Sequence, residues 1–315
     1  MVDGLLAAQG VSALSIVVFG SINMDLVARV PRLLLPGETL IGRSFSTVPG
    51  GKGANQAVAC ARLGAATRMI GRVGADTFGA ALRASLQGYG VDTSGVAVHP
   101  GTASGVAVIT VDDAGENEIV VIPGANATLG QMDLDRLDAA LNGARVLLLQ
   151  LEVALEVVVA AATLARRRGV TVILDPAPAQ PLPAELYAAV DIMTPNESEA
   201  AALAGFPLDD LEAVARAGVA LSQRGARNVI IKLGAQGAYW SDGFAGAFRP
   251  AFQVEAVDTV AAGDAFNGAL AVGLSEDLSL PEAIRWGLAA GALCATQSGA
   301  QSAMPGRAAL ADLLA

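Results

Sequence analysis

Short β-rich runs alternate with helical runs along most of this 315-residue chain, and this alternation limits the possible folds more than any other feature. Strand candidates are SIVVFG, RMIGRV, RVLLLQL, VTVILDP, DIMTP and NVIIKLG, and the helical candidates include NQAVACARLGA and LEAVARAGVALSQRG. Several strand candidates are apolar at consecutive positions, which is typical of strands covered on both faces. The pattern predicts an α/β fold with a mostly parallel central sheet and helices on each side.

Two segments, 23–47 and 103–123, depart from this alternation. The stretch TASGVAVITVDDAGENEIVVI contains two alternating runs around DDAGEN, which predicts a β-hairpin. Since these strands have no helical partners, we expect a small second sheet that forms a lid over the main one. No internal repeat or linker divides the chain, so residues 1–315 are expected to form a single domain.

The acidic composition limits the possible partners. The formal net charge of −10 argues against a nucleic-acid-binding protein, because such proteins normally carry a basic patch. Because the chain as a whole is acidic, a phosphate ligand would require cationic groups that are concentrated at its binding site. The two cysteines, Cys60 and Cys294, form no disulfide framework, which predicts a reducing, cytoplasmic setting.

No membrane segment is expected. The first fifteen residues include Asp3 but neither Lys nor Arg, unlike a secretory signal. Residues 144–165 are apolar enough to suggest a membrane span, but Glu152 and Glu156 lie within them, and each acid near the bilayer centre costs roughly 2.5–3.5 kcal/mol. A strand over Val146–Leu151 followed by a helix explains this segment better.

Polar residues follow the first predicted strand at its carboxyl end, where ligands gather in open α/β sheets. In FGSINMDLV, Asn23 and Asp25 are two residues apart and point to the same side of an extended chain. They predict either a polar turn or a pair of side chains that binds hydroxyl groups. Glu152, which ends the QLE strand, is likewise either a ligand candidate or a solvated cap.

A glycine-rich turn, PGGKGAN, precedes the first predicted helix. Its three glycines leave backbone amides open to close approach, Lys52 supplies a cation, and Asn55 is expected to open the helix. The turn is not a Walker A loop, because Gly53 stands where Ser or Thr is needed. A simple chain reversal and a ligand-binding loop are both compatible with it.

Two further turns are candidates for the nucleotide side of a site. Asn196 and Glu199, in TPNESEAA, share one helix face and predict either a helix cap or an outer-shell site for Mg²⁺, which keeps its waters. The stretch IKLGAQGAYW, residues 231–240, has two glycines after a strand. It predicts a hairpin turn or a turn under a nucleotide base.

The stretch VDTVAAGDAFNGAL places an acid behind three small residues. Ala261, Ala262 and Gly263 are expected to expose consecutive backbone N–H groups at a helix N-terminus, which forms an anion site. Such a site stabilises charge that develops on a transferred phosphoryl group. Asp264 is expected to take a proton from an attacking hydroxyl; the alternative is a helix cap.

Together these motifs make the chain similar to the ribokinase-like (PfkB) carbohydrate kinases. FGSINMDLV, PGGKGANQAVA, IGRVGADTFG, QLE, LDPAPA, TPNESEA, DTVAAGDAFNGAL and GAQSAMP occur in the family's order, from Ser15 to about Leu310. The resemblance implies a three-layer αβα fold with a β lid through which two subunits often pair. It also implies Mg²⁺- and ATP-dependent phosphorylation of a sugar's primary hydroxyl, O5 of D-ribose.

The resemblance also assigns roles by motif position. Asp264 is the implied base, and Ala261, Ala262 and Gly263 form the implied anion hole. The implied sugar-binding residues, besides Asp264, are Asn23, Met24, Asp25, Gly51, Lys52, Gly53, Ala54, Asn55 and Glu152. The implied ATP-binding residues are Asn196, Lys232, Leu233, Gly234, Ala235, Gln236, Gly237, Gly263 and Asp264, with Glu199 facing hydrated Mg²⁺.

A monovalent cation, usually K⁺, is implied beside the anion hole. Its implied ligands are Asp258, Val260, Cys294, Gln297, Gly299 and Ala303. The chain departs from the family at Ala303, where a serine is often present, and this puts the dependence on K⁺ in doubt. It also has Asp175 where many members have asparagine, which loosens the nucleotide-side assignment.

Other functions remain open at this stage. Another member of the family could phosphorylate deoxyribose, fructose or adenosine. A non-catalytic sugar-binding protein on the same scaffold would be expected to have lost the base or the anion hole, but Asp264 and the AAG turn are both present. The expected partners are therefore a small sugar and ATP, with a second copy of the chain at the lid.

Overall fold

The computed structural model describes residues 15–315, so the expectation about the first fifteen residues lies outside the described residues, except for Ser15. The strands in this part of the chain are β1 (Ile16–Phe19), β2 (Asn23–Arg29), β3 (Ser44–Gly50), β4 (Thr67–Gly74), β5 (Asp92–His99), β6 (Gly105–Val111), β7 (Asn117–Ile122), β8 (Val146–Leu149), β9 (Thr171–Leu174), β10 (Ile192–Met193), β11 (Asn228–Lys232), β12 (Gly237–Ser241) and β13 (Gly246–Pro250).

The helices lie between these strands and after them. They are α1 (Lys52–Arg62), α2 (Thr77–Gly88), α3 (Gln131–Ala140), α4 (Leu155–Arg167), α5 (Ala184–Ala189), α6 (Glu197–Ala204), α7 (Leu211–Gln223), α8 (Ala262–Ser275), α9 (Leu280–Ala295) and α10 (Arg307–Leu314). Short 3₁₀ segments form at Gly124–Thr128, Gly234–Gln236 and Gln301–Ala303.

The large sheet has the strand order β13-β12-β11-β10-β9-β8-β1-β4-β5. Its pairs from β11 to β5 are parallel, and β12 and β13 continue it in the antiparallel sense. The predicted mostly parallel sheet is therefore confirmed. Its parallel strands end along one edge, and the loops that leave them there build the site described below.

Apolar side chains fill both faces of this sheet. In β1, Ile16 and Val18 pack with α1, α2, α8, α9 and α10, while Val17 and Phe19 pack on the opposite face with α3 to α7. Because side chains alternate along a strand, one short apolar run supplies both cores. The expected three layers, helix–sheet–helix, are thereby confirmed.

A second sheet is formed by β3-β2-β6-β7. The predicted hairpin is present as β6 and β7, which pair in the antiparallel sense, while β2 and β6 are parallel. Strand β2 follows β1 after only Gly20–Ile22, so the second sheet begins at the carboxyl end of the first strand of the large sheet. All six residues of β7 are exposed, including Ile119, Val120, Val121 and Ile122.

The structure revises the predicted start of the first helix, and it decides whether the apolar segment 144–165 forms a strand and a helix. Helix α1 begins at Lys52, not at Asn55, because Gly51 is its N-cap. Residues 144–165 form β8 and then α4, as predicted. Among the described residues, no helix combines the length and apolar character needed to cross a bilayer.

Candidate active site

A cavity of about 650 Å³ opens at the carboxyl edge of the large sheet. Polar groups gather at one end of it, and Phe252, Phe266 and Leu288 contribute apolar wall farther along. A cavity of this size and mixed polarity suits a nucleotide-sized ligand. The predicted site residues that line it are Lys52, Asn196, Glu199, Lys232, Gly234, Ala235, Gly237, Ala261, Ala262, Gly263 and Asp264.

Asp264 lies in the first turn of α8 and is 5% exposed. Its Oδ2 accepts a hydrogen bond from Asn55 Nδ2 and its Oδ1 accepts one from Gln56 Nε2, both at 3.0 Å. The alternative prediction of a helix cap is wrong, because Ala261 is the N-cap of α8 and makes no side-chain cap bond. The carboxylate is therefore held by side chains of α1.

The environment of Asp264 raises the pKa of its carboxyl group to about 6. Burial is the main cause, and the nearby charge of Asp175 raises the pKa further. Lys52 and the hydrogen bonds from Asn55 and Gln56 act in the opposite direction. A carboxylate with a pKa in this range is ionised near neutral pH and is a stronger base than an exposed aspartate.

The turn before α8 exposes fewer free amides than the sequence suggested. Ala261 has a φ of 59°, in the left-handed region. The amide of Ala262 donates to Thr259 O at 3.3 Å, so it is already engaged within the turn. Within residues 15–315, the amides of Ala261, Gly263 and Asp264 have no protein acceptor. These three amides remain available to an anion at the start of the helix.

Asn23 and Glu152 form a hydrogen-bonded group beside the start of α1. Glu152 Oε2 accepts hydrogen bonds from Ser21 Oγ, from Asn23 Nδ2 at 3.5 Å and from the backbone amide of Lys52 at 3.1 Å. Asn23 Oδ1 accepts one from Asn126 Nδ2 at 2.7 Å. Glu152 is therefore not a solvated cap, because its carboxylate joins three segments of the chain.

Asp25 lies next to this group, on the same face of β2 as Asn23. Burial, followed by the nearby carboxylates of Glu152 and Asp264, raises the pKa of Asp25 to about 7. Concentrated negative charge of this kind favours a ligand that donates hydrogen bonds, such as a polyol. The large cavity is not lined by Asn23, Asp25, Asn55 or Glu152; Asn55 is joined to Asp264, which does line it.

Several residues of the glycine-rich turn are committed to the protein and not open to a ligand. Gly53 N donates to Ser21 Oγ at 3.3 Å, and Ala54 N donates to Ser21 O at 2.9 Å. The side chains of Ala54 and Met24 pack in the core. The expectation that the glycine amides of the turn stand open is therefore wrong for Gly53, the amide of Ala54 is engaged as well, and the Met24 side chain cannot reach a ligand on the Asp25 side.

Lys52 supplies the cation that the turn was predicted to provide. Burial alone would lower the pKa of its ammonium group, but the carboxylates of Asp264, Asp175, Glu152 and Glu199 outweigh burial and raise it. Lys52 therefore stays protonated at neutral pH. Its charge compensates part of the carboxylate cluster and faces the polar end of the cavity.

Asn196 and Glu199 cap α6 and also line the cavity. Asn196 Oδ1 accepts from Glu199 N, and Glu199 Oε2 accepts from Asn196 N, both at 2.8 Å. The predicted helix cap is thus present. Burial, followed by the nearby charge of Asp175, raises the pKa of Glu199. The other carboxylate oxygen of Glu199, Oε1, takes no part in the cap and remains available for an outer-shell contact with a hydrated metal ion.

Residues 232–237 form the turn between β11 and β12, which pair in the antiparallel sense. The predicted hairpin turn is therefore present. Leu233 is 3% exposed and packs in the core, so its side chain does not contact the cavity, and Gln236 does not line it. The side chain of Lys232 does line it, in an ion pair with Asp175 at 2.9 Å.

Gln56 was not predicted as a site residue, and Asp175 was noted only as a departure from the family on the nucleotide side, yet the structure places both at the centre of the site. Gln56 Nε2 donates to both Asp175 Oδ2 and Asp264 Oδ1 at 3.0 Å, and its Oε1 accepts from Gln150 Nε2 at 2.6 Å. The available signal was the pair of polar residues Asn55-Gln56 in an otherwise apolar helix. The partner of Gln56 could not be identified from that signal.

Asp258, the predicted charged ligand of a monovalent cation, contacts two of the other predicted ligand residues, Val260 and Gly299, through their backbone amides. Its Oδ1 accepts from Val260 N at 3.0 Å and its Oδ2 from Gly299 N at 3.1 Å. The Sγ of Cys294 is 3.7 Å from Val260 O. Ala303 is buried and carries no hydroxyl group. A carboxylate combined with backbone carbonyls would suit a hard, weakly charged cation, but the contacts of Asp258 are with backbone amides.

Within the described residues, no cluster of three or more His, Cys, Asp or Glu side chains is placed to hold a metal ion. A divalent ion at this site would therefore depend on water and ligand phosphates besides Glu199, which is the usual mode for Mg²⁺.

Comparison with known proteins agrees with this geometry. A model of the family described as pfkB family carbohydrate kinase matches residues 13–307. Ribokinase of Haemophilus influenzae is 42% identical over 293 residues, which cover 93% of this chain and 96% of the relative. Deoxyribokinase of Salmonella typhi is 37% identical over 93% of this chain and 96% of its own. The structure of Arabidopsis thaliana ribokinase complexed with ribose and ATP matches with a TM-score of 0.88 and 33% identity, over 96% of this chain and 99% of that one.

Proposed function

The chain belongs to the pfkB family of carbohydrate kinases, and we propose that this ATP-dependent kinase phosphorylates D-ribose at O5. The observation that carries the proposal is the pairing of Asp264 with Asn55. Asn55 Nδ2 orients the carboxylate, while Asn55 Oδ1, buried beside it, has no hydrogen-bond partner among residues 15–315. A sugar hydroxyl beside Asp264 would supply the missing donor.

In the proposed reaction, Asp264 accepts the proton of the O5 hydroxyl as that oxygen attacks the terminal phosphorus of ATP. The bond from phosphorus to the bridging oxygen breaks, and ADP leaves with that electron pair. The amides of Ala261 and Gly263 donate to the phosphoryl oxygens, where the N-terminus of α8 adds positive potential. Asn23, Asp25 and Glu152 orient the remaining hydroxyls.

The residues present fit a hydrated Mg²⁺ held beside the nucleotide by Glu199. When bound, the ion neutralises phosphate charge. This chain's own contribution is the free oxygen of Glu199, which the capping contact with Asn196 holds toward the cavity. On the nucleotide side of the site, Asn196 orients Glu199 through this capping contact.

A monovalent cation is also proposed, with Asp258 as its charged ligand and carbonyls of Val260, Cys294, Gln297 and Gly299 around it. The amides of Val260 and Gly299 both donate to Asp258, so these three residues lie together, which supports the proposed set. The methyl group of Ala303 offers no ligand, so we expect activation by K⁺ to be moderate and not absolute.

A sugar panel tests the proposed substrate. With ATP and Mg²⁺ in a coupled ADP-release assay, kcat/KM for D-ribose is expected to exceed that for 2-deoxyribose at least tenfold, because a site that binds a hydroxyl rejects the analogue without it by an order of magnitude or more. The assay is run with K⁺ and with Na⁺ as the sole monovalent cation.

The competing substrates define the contrary outcomes. A preference for 2-deoxyribose, the substrate named for the 37%-identical Salmonella relative, would overturn the ribose assignment but not the kinase assignment. So would a preference for fructose or adenosine. Equal rates in K⁺ and Na⁺ would show that the proposed cation site does not select K⁺.

We further propose that residues 1–315 act as one kinase unit, that the second sheet serves as its lid, and that two copies pair through that lid. Apolar β7 residues, 44–60% exposed, support this pairing. Sedimentation velocity should give a dimer for the wild type and a monomer for Val120→Lys, whereas Phe244→Lys, at an exposed apolar site outside this sheet, should remain dimeric. A monomeric wild type would contradict the pairing.

A cytoplasmic location is proposed because ATP is available there. Cys60 and Cys294 are buried and unpaired, which is compatible with a reducing compartment.

A further inference from the structure

Asn126 lies in the 3₁₀ segment Gly124–Thr128, and its side chain is buried against the start of β2. Its Oδ1 accepts a hydrogen bond from Ile22 N at 3.0 Å, and its Nδ2 donates to Ile22 O at 3.2 Å. The same Nδ2 donates to Asn23 Oδ1 at 2.7 Å. Both polar atoms of the Asn126 amide are thus engaged, and their partners are the residue before β2 and the first residue of that strand.

The backbone of Ile22 determines which way the Asn126 amide points. A backbone N–H group only donates a hydrogen bond, and a backbone carbonyl only accepts one. Ile22 N therefore requires Oδ1 of Asn126 on its side, which places Nδ2 beside Ile22 O and Asn23. If the amide were turned over, two donors would meet at Ile22 N and two acceptors would meet at Ile22 O.

The orientation of Asn126 in turn sets that of Asn23, which is also buried. Because Asn126 supplies a donor, Asn23 Oδ1 faces Asn126, and Asn23 Nδ2 is left on the other side, 3.5 Å from Glu152 Oε2. That contact is long, and Glu152 Oε2 already accepts from Ser21 Oγ and Lys52 N. Since an amide NH₂ group has two hydrogens, Asn23 keeps donor capacity for a ligand.

The segment that carries Asn126 is tied to the large sheet. Thr128 Oγ1 donates to Ala125 O at 2.7 Å, and Arg72, in β4, donates to Thr128 Oγ1 from Nη1 at 3.3 Å. Arg72 also forms an ion pair with the fully buried Asp133 at 2.7 Å. Asn126 therefore has a fixed place relative to the large sheet, from which it contacts a residue of the second sheet.

Gly105, the first residue of β6, leaves the room that the two asparagines need. A Cβ atom built on Gly105 would stand 2.3 Å from both Asn126 Nδ2 and Asn23 Oδ1. The φ of Gly105 is not in the left-handed region, so its neighbours exclude a larger residue there and its backbone conformation does not. The contact between the two amides is therefore closely enclosed.

We propose that Asn126 is a positioning residue for the sugar: it holds the Asn23 amide so that Nδ2, and not Oδ1, faces the sugar hydroxyls. Asn23 then supplies a donor beside the acceptors of Asp25 and Glu152. This inference rests on the proposed function, since it concerns a sugar bound beside Asn23. The competing explanation is structural: Asn126 would only tie the segment 124–128 to Ile22.

The test is a double-mutant cycle on D-ribose binding, measured by calorimetry without nucleotide. Asn126→Asp keeps the acceptor for Ile22 N but puts an oxygen in place of the donor to Asn23, so the Asn23 amide should turn over. The measurement is made at pH 8, which favours the ionised carboxyl group that cannot donate. Binding of D-ribose should weaken about tenfold, the upper end of what one neutral hydrogen bond contributes.

The second arm of the cycle is Asn23→Ala, which should weaken D-ribose binding by a similar factor. In the Asn23→Ala background, Asn126→Asp should change the affinity less than about twofold, because no amide is left to orient. Asn126→Ala, which adds no charge, should show the same coupling and serves if Asn126→Asp does not fold. Thermal melting, and binding of MgADP in the cavity that Asn126 does not line, check the fold.

Kinetics give a readout that a purely structural role would not produce. The KM for D-ribose should rise together with its dissociation constant, while kcat changes less than about threefold, because Asp264 and the amides before α8 are untouched. Additive losses in the double variant, or unchanged D-ribose affinity in Asn23→Ala, would overturn the proposal. So would a fall in kcat with an unchanged KM.

The outcomes separate this inference from the proposed function. A wild-type chain that binds no D-ribose would overturn the ribose assignment and the inference together. A wild-type chain that binds D-ribose, with additive losses in the variants, would overturn the inference alone.

Discussion

Replacing Asp264 with asparagine is expected to lower kcat about 10³-fold, within the range that a positioned general base contributes. The substitution removes the group that takes the O5 proton but keeps the size of the side chain. Its new amide donor would face the donors of Asn55 and Gln56. Asn55 can turn its amide and present Oδ1, which has no partner in the described part of the chain, so the fold should survive.

The measurement is steady-state and single-turnover kinetics with D-ribose and ATP, beside equilibrium binding of each. Binding should remain within a few-fold of the wild type while the chemical step slows. Comparing binding with turnover in this way also tests the hypothesis of a non-catalytic sugar-binding protein. Turnover that is unchanged in the variant would refute the role of Asp264.

The pH dependence gives a second measurement of the same residue. Asp264 acts as a base only when ionised, and burial raises its pKa to about 6. The value of kcat/KM for the sugar should therefore be constant above pH 7 and fall as the pH drops through about 6, by up to tenfold per unit. Asp25, whose pKa is about 7, lies close enough to couple with it, so the observed value belongs to the pair. A profile that is flat down to pH 5 would exclude a buried carboxylate base.

The substitution Gly51→Ala is expected to destabilise the protein and impair sugar binding together. Gly51 has a φ of 90°, and a Cβ atom there would stand 2.6 Å from Asn23 N, a backbone atom that cannot simply turn away. The left-handed backbone alone costs about 1–2 kcal/mol for alanine, and forced overpacking typically adds about 1–3 kcal/mol. Because the displaced atom belongs to Asn23, kcat/KM for the sugar should fall by an order of magnitude or more.

Gly64, beyond the other end of α1, provides a matched control. It has the same φ of 90°, but a Cβ atom there meets nothing within 4 Å. Gly64→Ala should therefore show only the cost of the backbone conformation, with normal sugar kinetics. Urea unfolding of both variants separates the steric part from the conformational part. Equal stability losses in the two variants would mean that the contact with Asn23 relaxes freely.

The layers of the fold could be predicted because their signals are local. A run such as SIVVFG carries the alternation that fills both cores, and the hairpin at 105–122 is encoded by two alternating runs and a turn. The start of α1 was misjudged because no Ser, Thr, Asp or Asn side chain caps it; the N-cap is Gly51. Met24 was placed in the site with its neighbours, although strand alternation turns it to the opposite face.

The centre of the site was only partly predictable. Asp264 and its preceding turn form a compact motif, but Gln56 and Asp175 are 119 residues apart along the chain, and Gln56 and Asp264 are 208 apart. No local pattern specifies such a contact. The ion pair of Asp175 with Lys232 likewise depends on two strands that neither lie next to each other in the sequence nor pair directly.

Asn23 and Asp25 belong to the second sheet, whereas Asp264 belongs to a helix packed on the large one. Any rotation of one sheet against the other therefore changes the gap between the acceptor alcohol and its base.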